Sequence, residues 1–269
     1  MAKGAYIGVN NVAWKIKKGY IGVDGVARKI KKGYIGVGGV ARQFFQCGTP
    51  ASQLAVGSSV YLNVSGVQTE FLIVHQGLPS SVYDSSCNGT WLLMKDIVGL
   101  SYWGNDSSSQ CFDNSPTIRT YLDNTFAPML DTAVYNQIKT VSIPVMTSRN
   151  GDGSVLGTAS LKVFLLSTDE INRSKASDST YPTLVEGAAL SYFSSATDSS
   201  RLIANYNGSA KGWWTRTKIK TLPSGYERVH RVSESGSVTA YRMGTSLGVR
   251  PAMILPSTAL FDDQNVIIT

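Results

Sequence analysis

The sequence has few of the residues on which most enzyme chemistry depends. Its 269 residues include two histidines, His75 and His230, and three cysteines, Cys47, Cys87 and Cys111, with no CxxC spacing. Because a zinc cluster needs closely spaced ligands and a disulfide framework needs an even cysteine count, neither is expected. The sequence allows a disulfide bond between Cys87 and Cys111 and equally two free thiols. No GxSxG motif surrounds a serine, so no nucleophile with its base is recognisable, and we expect no catalytic residue, metal or cofactor.

Long apolar runs are also missing. No stretch reaches 18 apolar residues, and the glycine- and lysine-rich start lacks the continuous apolar core of a secretory signal. We therefore expect no membrane insertion and a soluble chain made in a cytoplasm. A hydrophobic content of 42% is enough for the core of one large domain, so extensive disorder is not expected.

Positive charge is confined to one end of the chain. Residues 1–46 contain nine lysines or arginines and one acid, which gives this segment a net charge of +8. The whole chain has a net charge of +7. The remaining residues carry 16 basic and 17 acidic groups, a net charge of −1. The basic segment therefore needs its own explanation, because the main body is nearly neutral.

That basic segment contains a repeat of 14 residues. The units begin at Tyr6, Tyr20 and Tyr34 and read YIGVNNVAWKIKK, YIGVDGVARKIKK and YIGVGGVARQFFQ. Each unit has two β-type runs around a two-residue turn, which is the signature of a hairpin with a type I′ turn. In the second unit Val23 is expected to face Val26, so that the Ile and Val positions share one face and the Tyr, Gly, Ala and Lys positions share the other.

The apolar faces of the three hairpins are expected to be continuous, because an even period keeps the same parity. A lone two-stranded ribbon is marginal in water, so the hairpins need a partner surface. We expect residues 1–46 to form a stalk or docking module in a homo-oligomer, with a trimer favoured; the alternative is a solvated basic leader. Nucleic acid ranks low as a partner, because nothing here reads a base or cradles a phosphate and the lysines serve equally well as edge charges.

The rest of the chain is predicted to be a linker at residues 47–57, rich in Gly, Pro, Ala and Ser, followed by one domain at residues 58–269. Patterns of apolar residues predict two strands and two helical segments, in this order: Ser59–Val64, Glu70–His75, Pro116–Phe126 and Leu130–Lys139.

Later segments are predicted to be more irregular. Leu161–Ser167 is a candidate buried strand, and Ser167 with Glu170 matches the spacing of a capping box. From Tyr192 onward Gly, Ser and Thr are frequent and are interrupted by Trp and Tyr. That composition is typical of short strands joined by long loops.

Five motifs resemble a family of domains of unknown function from gut clostridia and their phages and prophages. They are HQGLPSSVYDSSCNGTWLLMKDI (75–97), NSPTIRTYLDNTF (114–126), KVFLLSTDEI (162–171), GWWTRT (212–217) and GVRPAMILPS (248–257). One motif departs from the family's usual WWLRSP: it keeps Arg216 but differs around it.

The WW-x-R motif with a late GVRPA strand also resembles the C-type-lectin-like fold of formylglycine-generating enzymes and of variable proteins from diversity-generating retroelements. This resemblance implies an α+β fold with short strands, a few helices and long loops, and the repeats resemble leader repeats of similar phage proteins. It also implies a virion setting, in which residues 1–46 contact other virion proteins. Trp213 and Trp214 lie on opposite sides of a strand, so at least one is expected in the core. Arg216 and Arg250 are expected to pair with buried carbonyls or carboxylates.

The candidate ligand-binding residues lie mainly between residues 218 and 246, the interval that faces the ligand in the retroelement proteins. The interval is rich in Tyr and Arg, which are enriched at binding hot spots. The candidates are Trp214, Tyr226, Arg228, His230, Arg231, Tyr241 and Arg242. The alternative is that this interval is only a solvated set of hairpins.

Three functions follow from these observations. The first is a non-enzymatic tail or fibre adhesin, or a capsid decoration protein, that binds a host-surface or mucosal glycan or protein. The second is a purely structural virion component without an external ligand. A glycosidase or an enzyme of the formylglycine-generating type ranks third. The paired carboxylates of a glycosidase cannot be identified from sequence spacing. An enzyme of the formylglycine-generating type is expected to have cysteines near its carboxyl-terminal core, but the last cysteine of this chain is Cys111.

Overall fold

A computed structural model of the chain describes the following residues, and structural statements concern these alone: 6–9, 12–15, 19–23, 25–30, 32–37, 40–46, 48–105, 110–114, 116–147, 155–173, 184–194, 197–219 and 227–269.

Each 14-residue repeat forms an antiparallel hairpin. The strands are β1 (Tyr6–Val9), β2 (Val12–Lys15), β3 (Gly19–Val23), β4 (Val26–Ile30), β5 (Lys32–Val37) and β6 (Val40–Gln46). Val9 pairs with Val12, Val23 with Val26, and Val37 with Val40, which is the register predicted from the two-residue turn. The one described turn glycine, Gly25, has φ of +75°, as a type I′ turn requires. The other turn residues lie outside the described residues.

The body is β-rich and its helices are short, so it corresponds to the β-rich end of the expected α+β composition. The remaining strands are β7 (Thr49–Pro50), β8 (Ser59–Val64), β9 (Val67–Gly77), β10 (Gly89–Met94), β11 (Gly99–Tyr102), β12 (Val141–Thr147), β13 (Val155–Leu161), β14 (Val163–Phe164), β15 (Asn205–Tyr206), β16 (Ser209–Ala210), β17 (Trp213–Lys218), β18 (Arg228–Val232), β19 (Val238–Arg242), β20 (Ser246–Val249), β21 (Ala252–Leu255) and β22 (Leu260–Phe261). The helices are α1 (Pro116–Thr120), continued by a π-helical segment (Tyr121–Phe126), and α2 (Thr132–Gln137), with short 3-10 turns elsewhere.

Two five-stranded sheets carry the core. The first has the strand order β14-β21-β10-β9-β8 and is antiparallel throughout. All residues of β10 and β21 are buried, because these strands lie inside the sheet and are covered on both faces. The second sheet has the order β11-β20-β17-β18-β19, with β17 and β20 parallel.

The GVRPA motif connects the two sheets. β20 belongs to the second sheet and β21 to the first, and only Arg250 and Pro251 separate them. Arg250 is buried, donates from Nε to the Met94 carbonyl at 2.9 Å, and lies 5.1 Å from the ring centroid of Trp213. Burial lowers the pKa of Arg250 to about 10. The expectation that this arginine contacts a buried carbonyl is confirmed.

The segment predicted as a linker is partly built into the body. β7 pairs with β22, and Ala51 is completely buried, with its N–H donating to the Ala259 carbonyl at 2.7 Å. Small residues such as Ala51 suit a flexible linker and a tight contact equally well, which explains the difference. The predicted strand pair is confirmed: β8 and β9 form a hairpin whose turn residues Ser65 and Gly66 both have positive φ.

The segments that follow β14 are organised by a buried ion pair between Arg216 and Glu170. The Arg216 guanidinium binds both carboxylate oxygens of Glu170, at 2.5 and 2.8 Å, and both side chains are completely buried. The same guanidinium donates to the carbonyls of Pro144, Leu165 and Glu186 at 2.8–3.1 Å. One side chain of β17 therefore holds β12, the end of β14 and the segment around residue 186 together.

Glu170 also accepts hydrogen bonds from groups other than Arg216. Its Oε1 accepts the Tyr83 hydroxyl at 2.9 Å, and its Oε2 accepts the Ser167 N–H at 2.9 Å, while the Ser167 hydroxyl accepts the Glu170 N–H at 3.1 Å. This is the predicted capping box, here closing a single turn that ends at Asn172 with φ of +52°. Burial lowers the pKa of Arg216, but the Glu170 charge outweighs that effect and the pKa lies above its ordinary value.

We expect Glu170→Gln to lower the free energy of unfolding by about 3–5 kcal/mol, because it leaves the Arg216 charge buried without its counter-ion. Asp123→Asn is the matched control, since it breaks the partly exposed Arg119–Asp123 pair and should change stability by less than about 1 kcal/mol. Chemical denaturation of both variants measures the two effects, and equal losses would contradict the central role of the buried pair.

Candidate ligand-binding site

The candidate ligand-binding residues lie on the outer hairpin of the second sheet. β18 pairs with β17 on one side and with β19 on the other, and β19 is the edge strand of the sheet. A turn over residues 233–237 joins β18 to β19. It is closed by the Ser233 N–H donating to the Ser237 carbonyl at 2.7 Å and by a positive φ at Gly236. β19 pairs on one side only, so the outer edge of this hairpin is unpaired, as is the edge of β11 at the other end of the sheet.

The strand register divides the candidates between two faces. Directly paired residues share a face of a sheet, and neighbours along a strand alternate. Trp214 pairs with Arg231, and Tyr241 pairs with Val229, so Trp214, Arg231 and Tyr241 share one face. Three other candidates lie on the opposite face: Arg228, His230 and Arg242. The expectation of a single recognition face is therefore wrong.

The first face carries an aromatic and cationic cluster that we call the Arg231–Tyr241 stack. The guanidinium carbon of Arg231 lies 4.1 Å from the Tyr241 ring centroid, and the Tyr241 and Trp214 rings lie 6.3 Å apart. Arg231 also forms an ion pair of 3.4 Å with Glu234. Arg231 and Tyr241 are both partly exposed, so solvent reaches an aromatic ring with a cation stacked on it.

Trp214 cannot contact an external ligand, because it is completely buried. Its Nε1 donates to the Ser101 carbonyl at 2.9 Å, whereas Trp213, on the other face, donates to the Leu202 carbonyl at 2.8 Å. The expectation that at least one of these tryptophans belongs to the core is confirmed for both. Trp214 supports the Arg231–Tyr241 stack from beneath and is not part of its surface.

His230 is also removed from the contact surface. It is 1% exposed, its Nδ1 lies 3.3 Å from the Thr217 carbonyl, and its own carbonyl accepts the Thr215 hydroxyl at 2.7 Å. His230 was a candidate ligand-binding residue, but strand alternation turns its side chain toward the body. Arg228 is partly exposed and Arg242 exposed, while Tyr226 lies outside the described residues.

A second buried ion pair lies at the base of the hairpin and was not predicted. Lys218 Nζ is 2.9 Å from Glu227 Oε2, and both side chains are almost completely buried. Lys218 ends β17 and Glu227 precedes β18, so the pair ties the hairpin to the centre of the sheet. Eight residues, 219–226, lie between them in the sequence, and no helical or strand spacing indicated the contact.

The side chains of His75 and Ser191 are in hydrogen-bond contact. Ser191 Oγ lies 2.8 Å from His75 Nδ1, and the Ser191 N–H donates to the same nitrogen at 3.2 Å. The ring also hydrogen-bonds the Leu78 backbone, and burial lowers the pKa of His75 despite that bond. The ring thus ties residues 78 and 191 to β9, which is a structural role. Among the described residues no three His, Cys, Asp or Glu side chains converge as metal ligands do.

The family is established by a profile match. The family described as "Domain of unknown function (DUF6273)" matches residues 88–257, which include Arg216, Arg250 and the outer hairpin. A β-rich domain with a buried arginine–glutamate centre is the class that the structure defines. The chain belongs to this DUF6273 family. No curated protein and no solved structure matches the chain. No helix in the described part of the chain has the length and apolar character needed to cross a membrane.

Cys87 and Cys111 are buried thiols that are not joined to each other. Burial raises the pKa of Cys87 to about 11, so only about one molecule in a thousand carries this thiolate at pH 8. We expect a Cys47→Ser variant to show no rapid reaction with Ellman's reagent in the folded state and to release two equivalents after unfolding in guanidinium. Rapid reaction of the folded variant would contradict the burial of these thiols.

Proposed function

We propose that this chain is a non-enzymatic phage virion or surface protein whose outer hairpin binds a host-surface or mucosal glycan or protein. The observation that carries this proposal is the Arg231–Tyr241 stack, a partly exposed aromatic ring beside a charge on the edge hairpin of the second sheet. Aromatic faces stack on sugar rings and give large contact areas at low entropy cost. Residues held from beneath by a buried tryptophan lose little freedom when a ligand binds.

The virion setting and the finer fold belong to the same proposal. The resemblance of the five motifs and of the leader repeats supports a tail or fibre adhesin or a capsid decoration protein with a C-type-lectin-like body. The strand carrying both tryptophans at the centre of the second sheet, and the GVRPA passage between the sheets, are compatible with that fold. In this proposal residues 1–46 contact other virion proteins and copies of the same chain.

We expect Arg231→Ala/Tyr241→Ala to weaken binding to a glycan array or to mucin-coated surfaces about tenfold or more, because hot-spot truncation has effects of that size. Thr239→Ala is the matched control: Thr239 is exposed and lies on the same face, directly opposite Arg231, but is outside the stack. Its binding should stay within about twofold of wild type. Equal binding by both variants would remove the proposed surface and favour the purely structural role.

The hairpin repeats give a separate test of assembly. Ile7, Ile21 and Ile35 lie on the same face as the turn-flanking valines, and Ala13, Ala27 and Ala41 lie on the other face. We expect the full-length chain to be oligomeric, with a trimer favoured, and the triple Ile→Lys variant to be monomeric, because three buried charges oppose packing.

The triple Ala→Lys variant is the control for that experiment, since it adds the same charge to the opposite face and should keep the oligomer. Light scattering coupled to gel filtration measures the mass of each. A monomeric wild-type chain, or the same mass for both variants, would contradict packing through the apolar face.

A further inference from the structure

The outer edge of β19 presents backbone groups that the sheet leaves unpaired. The Ser233 N–H donates to the Ser237 carbonyl at 2.7 Å, and the Met243 N–H donates to the Glu227 carbonyl at 3.2 Å. Both bonds fit the register of β18 with β19, and hydrogen-bonded pairs alternate with non-hydrogen-bonded ones along an antiparallel ladder. The odd-numbered residues of β19 therefore bond to β18, whereas the even-numbered residues direct their N–H and C=O groups outward.

The carbonyls of β18 support this assignment. The Arg228 carbonyl accepts the Ile219 N–H at 3.0 Å, and the His230 carbonyl accepts the Thr215 hydroxyl at 2.7 Å. Thr215 lies on β17 and Ile219 directly follows it, so the even-numbered residues of β18 bond toward β17. The odd-numbered residues are thus left to bond to β19, as the first pattern requires.

Val238 and Ala240 provide the unpaired groups. Both residues are partly exposed, and their N–H and C=O groups have no hydrogen-bond partner among the described residues. The third outward residue, Arg242, differs, because its carbonyl accepts the Thr245 N–H at 3.2 Å. A donor and an acceptor at every second residue form the pattern that an extended polypeptide backbone matches.

We propose that an extended peptide segment of a partner protein binds here as an additional strand, antiparallel to β19. This inference rests on the proposed function, and it selects polypeptide from the two ligand classes named there. In such strand addition, main-chain hydrogen bonds supply affinity and side chains at alternate positions supply specificity. β19 contains neither lysine nor proline, two residues that protect many edge strands from strand addition.

The Arg231–Tyr241 stack predicts one side chain of that peptide. Tyr241 bonds to β18, so it forms a non-hydrogen-bonded pair with the added strand, in which Cα atoms lie about 4.5 Å apart and side chains are closest. The ring neighbours of Tyr241 are Arg231 and Trp214, which lie on inner strands of the sheet. The flank of the ring nearest the open edge is therefore left for the peptide, and we expect an aromatic or aliphatic residue there.

Arg231 predicts a carboxylate at a second position. Arg231 pairs with Thr239, so a peptide residue opposite Thr239 lies in the same row, across a short side chain. Arg231 donates to Glu234 at 3.4 Å, and its Nε has no hydrogen-bond partner among the described residues. A glutamate in that row is within reach of the guanidinium. The expected peptide therefore carries an apolar residue followed, two residues later, by an acidic one.

Two other arrangements fit the structure less well. In a symmetric pair of two β19 edges centred on Ala240, Tyr241 faces Thr239 of the second copy, so no carboxylate lies opposite either position. The edge of β11 is less open than that of β19, because α1 contacts β11 and the Ser101 hydroxyl donates to the Tyr102 carbonyl at 3.0 Å.

The first test uses the full-length chain and the fluorescent peptide acetyl-STYTETS-amide, which places its tyrosine opposite Tyr241, its central threonine opposite Ala240 and its glutamate opposite Thr239. We expect saturable binding that weakens about tenfold when the amide of the central threonine is N-methylated, because the Ala240 carbonyl loses its donor. N-methylation of the glutamate is the matched control, since its N–H faces away from β19, and should change affinity by less than about threefold. Absence of binding, or equal loss for both methylated peptides, would overturn the proposal.

Variants of the chain test the same edge. Ala240→Pro removes the outward N–H and leaves the bonds from β19 to β18, and proline is tolerated at edge positions whose N–H faces solvent. We expect Ala240→Pro to weaken peptide binding about tenfold or more, whereas the control Ala240→Val, which keeps the N–H, stays within about threefold. Equal affinity of the two variants would contradict strand addition. If Ala240→Pro fails to fold, the methylated peptides still decide.

A peptide with glutamine in place of glutamate tests the role of Arg231. We expect this peptide to bind wild type about threefold or more weakly than the original, because a charge-assisted hydrogen bond is lost. Arg231→Gln should bind both peptides equally. A wild-type chain that does not distinguish the two peptides would refute the acidic position.

These outcomes can be separated from the proposed function. Glycan binding that depends on Arg231 and Tyr241, without peptide binding, refutes only strand addition. Peptide binding with the predicted methylation pattern, without wild-type binding to glycan arrays or mucin-coated surfaces, refutes only the host-surface role. A lower oligomer mass of Ala240→Pro in gel filtration would assign the edge to a second copy of the chain and overturn the peptide proposal.

Discussion

The buried pair of Arg216 and Glu170 is the interaction on which the rest of the body depends. Removing two charges from water is unfavourable, and the pair is tolerated only because every part of it is engaged: the carboxylate by Arg216, Tyr83 and a backbone N–H, the guanidinium by three carbonyls as well. A pair with so many required partners permits few alternative arrangements. It therefore specifies how β12, the end of β14 and β17 lie relative to one another.

That constraint explains why the proposed ligand-binding surface lies on the outer hairpin of the sheet. Around Arg216 the strand β17 hydrogen-bonds to the segment after β14, with the Arg216 N–H donating to the Leu166 carbonyl, and its pairing with β18 is interrupted between Trp214 and Lys218. The centre of the sheet is thus committed to the core. β18 and β19 are attached through Trp213, Trp214 and the Lys218–Glu227 pair, and β19 has a strand on one side only.

Local features of the structure could be predicted from the sequence, whereas contacts between distant segments could not. The hairpin register follows from the two-residue turn of each repeat, and the Ser167–Glu170 box follows from a spacing of three. The partner of Glu170 lies 46 residues away, and no periodicity indicates it. The error over the recognition surface had a different cause: composition identified a Tyr- and Arg-rich interval, but strand alternation distributes it over two faces and buries His230. The Ser-Glu-Ser-Gly-Ser turn was the signal that would have fixed the register and shown Arg228 opposite Arg242.

The two faces of the outer hairpin place a geometric condition on any ligand. The Arg231–Tyr241 stack lies on one face, whereas His230 on the other face is buried, so a compact ligand of the proposed kind contacts one face only. In the proposed oligomer weak individual contacts suffice, because several copies raise the effective concentration of each site for the next segment of a polymeric ligand.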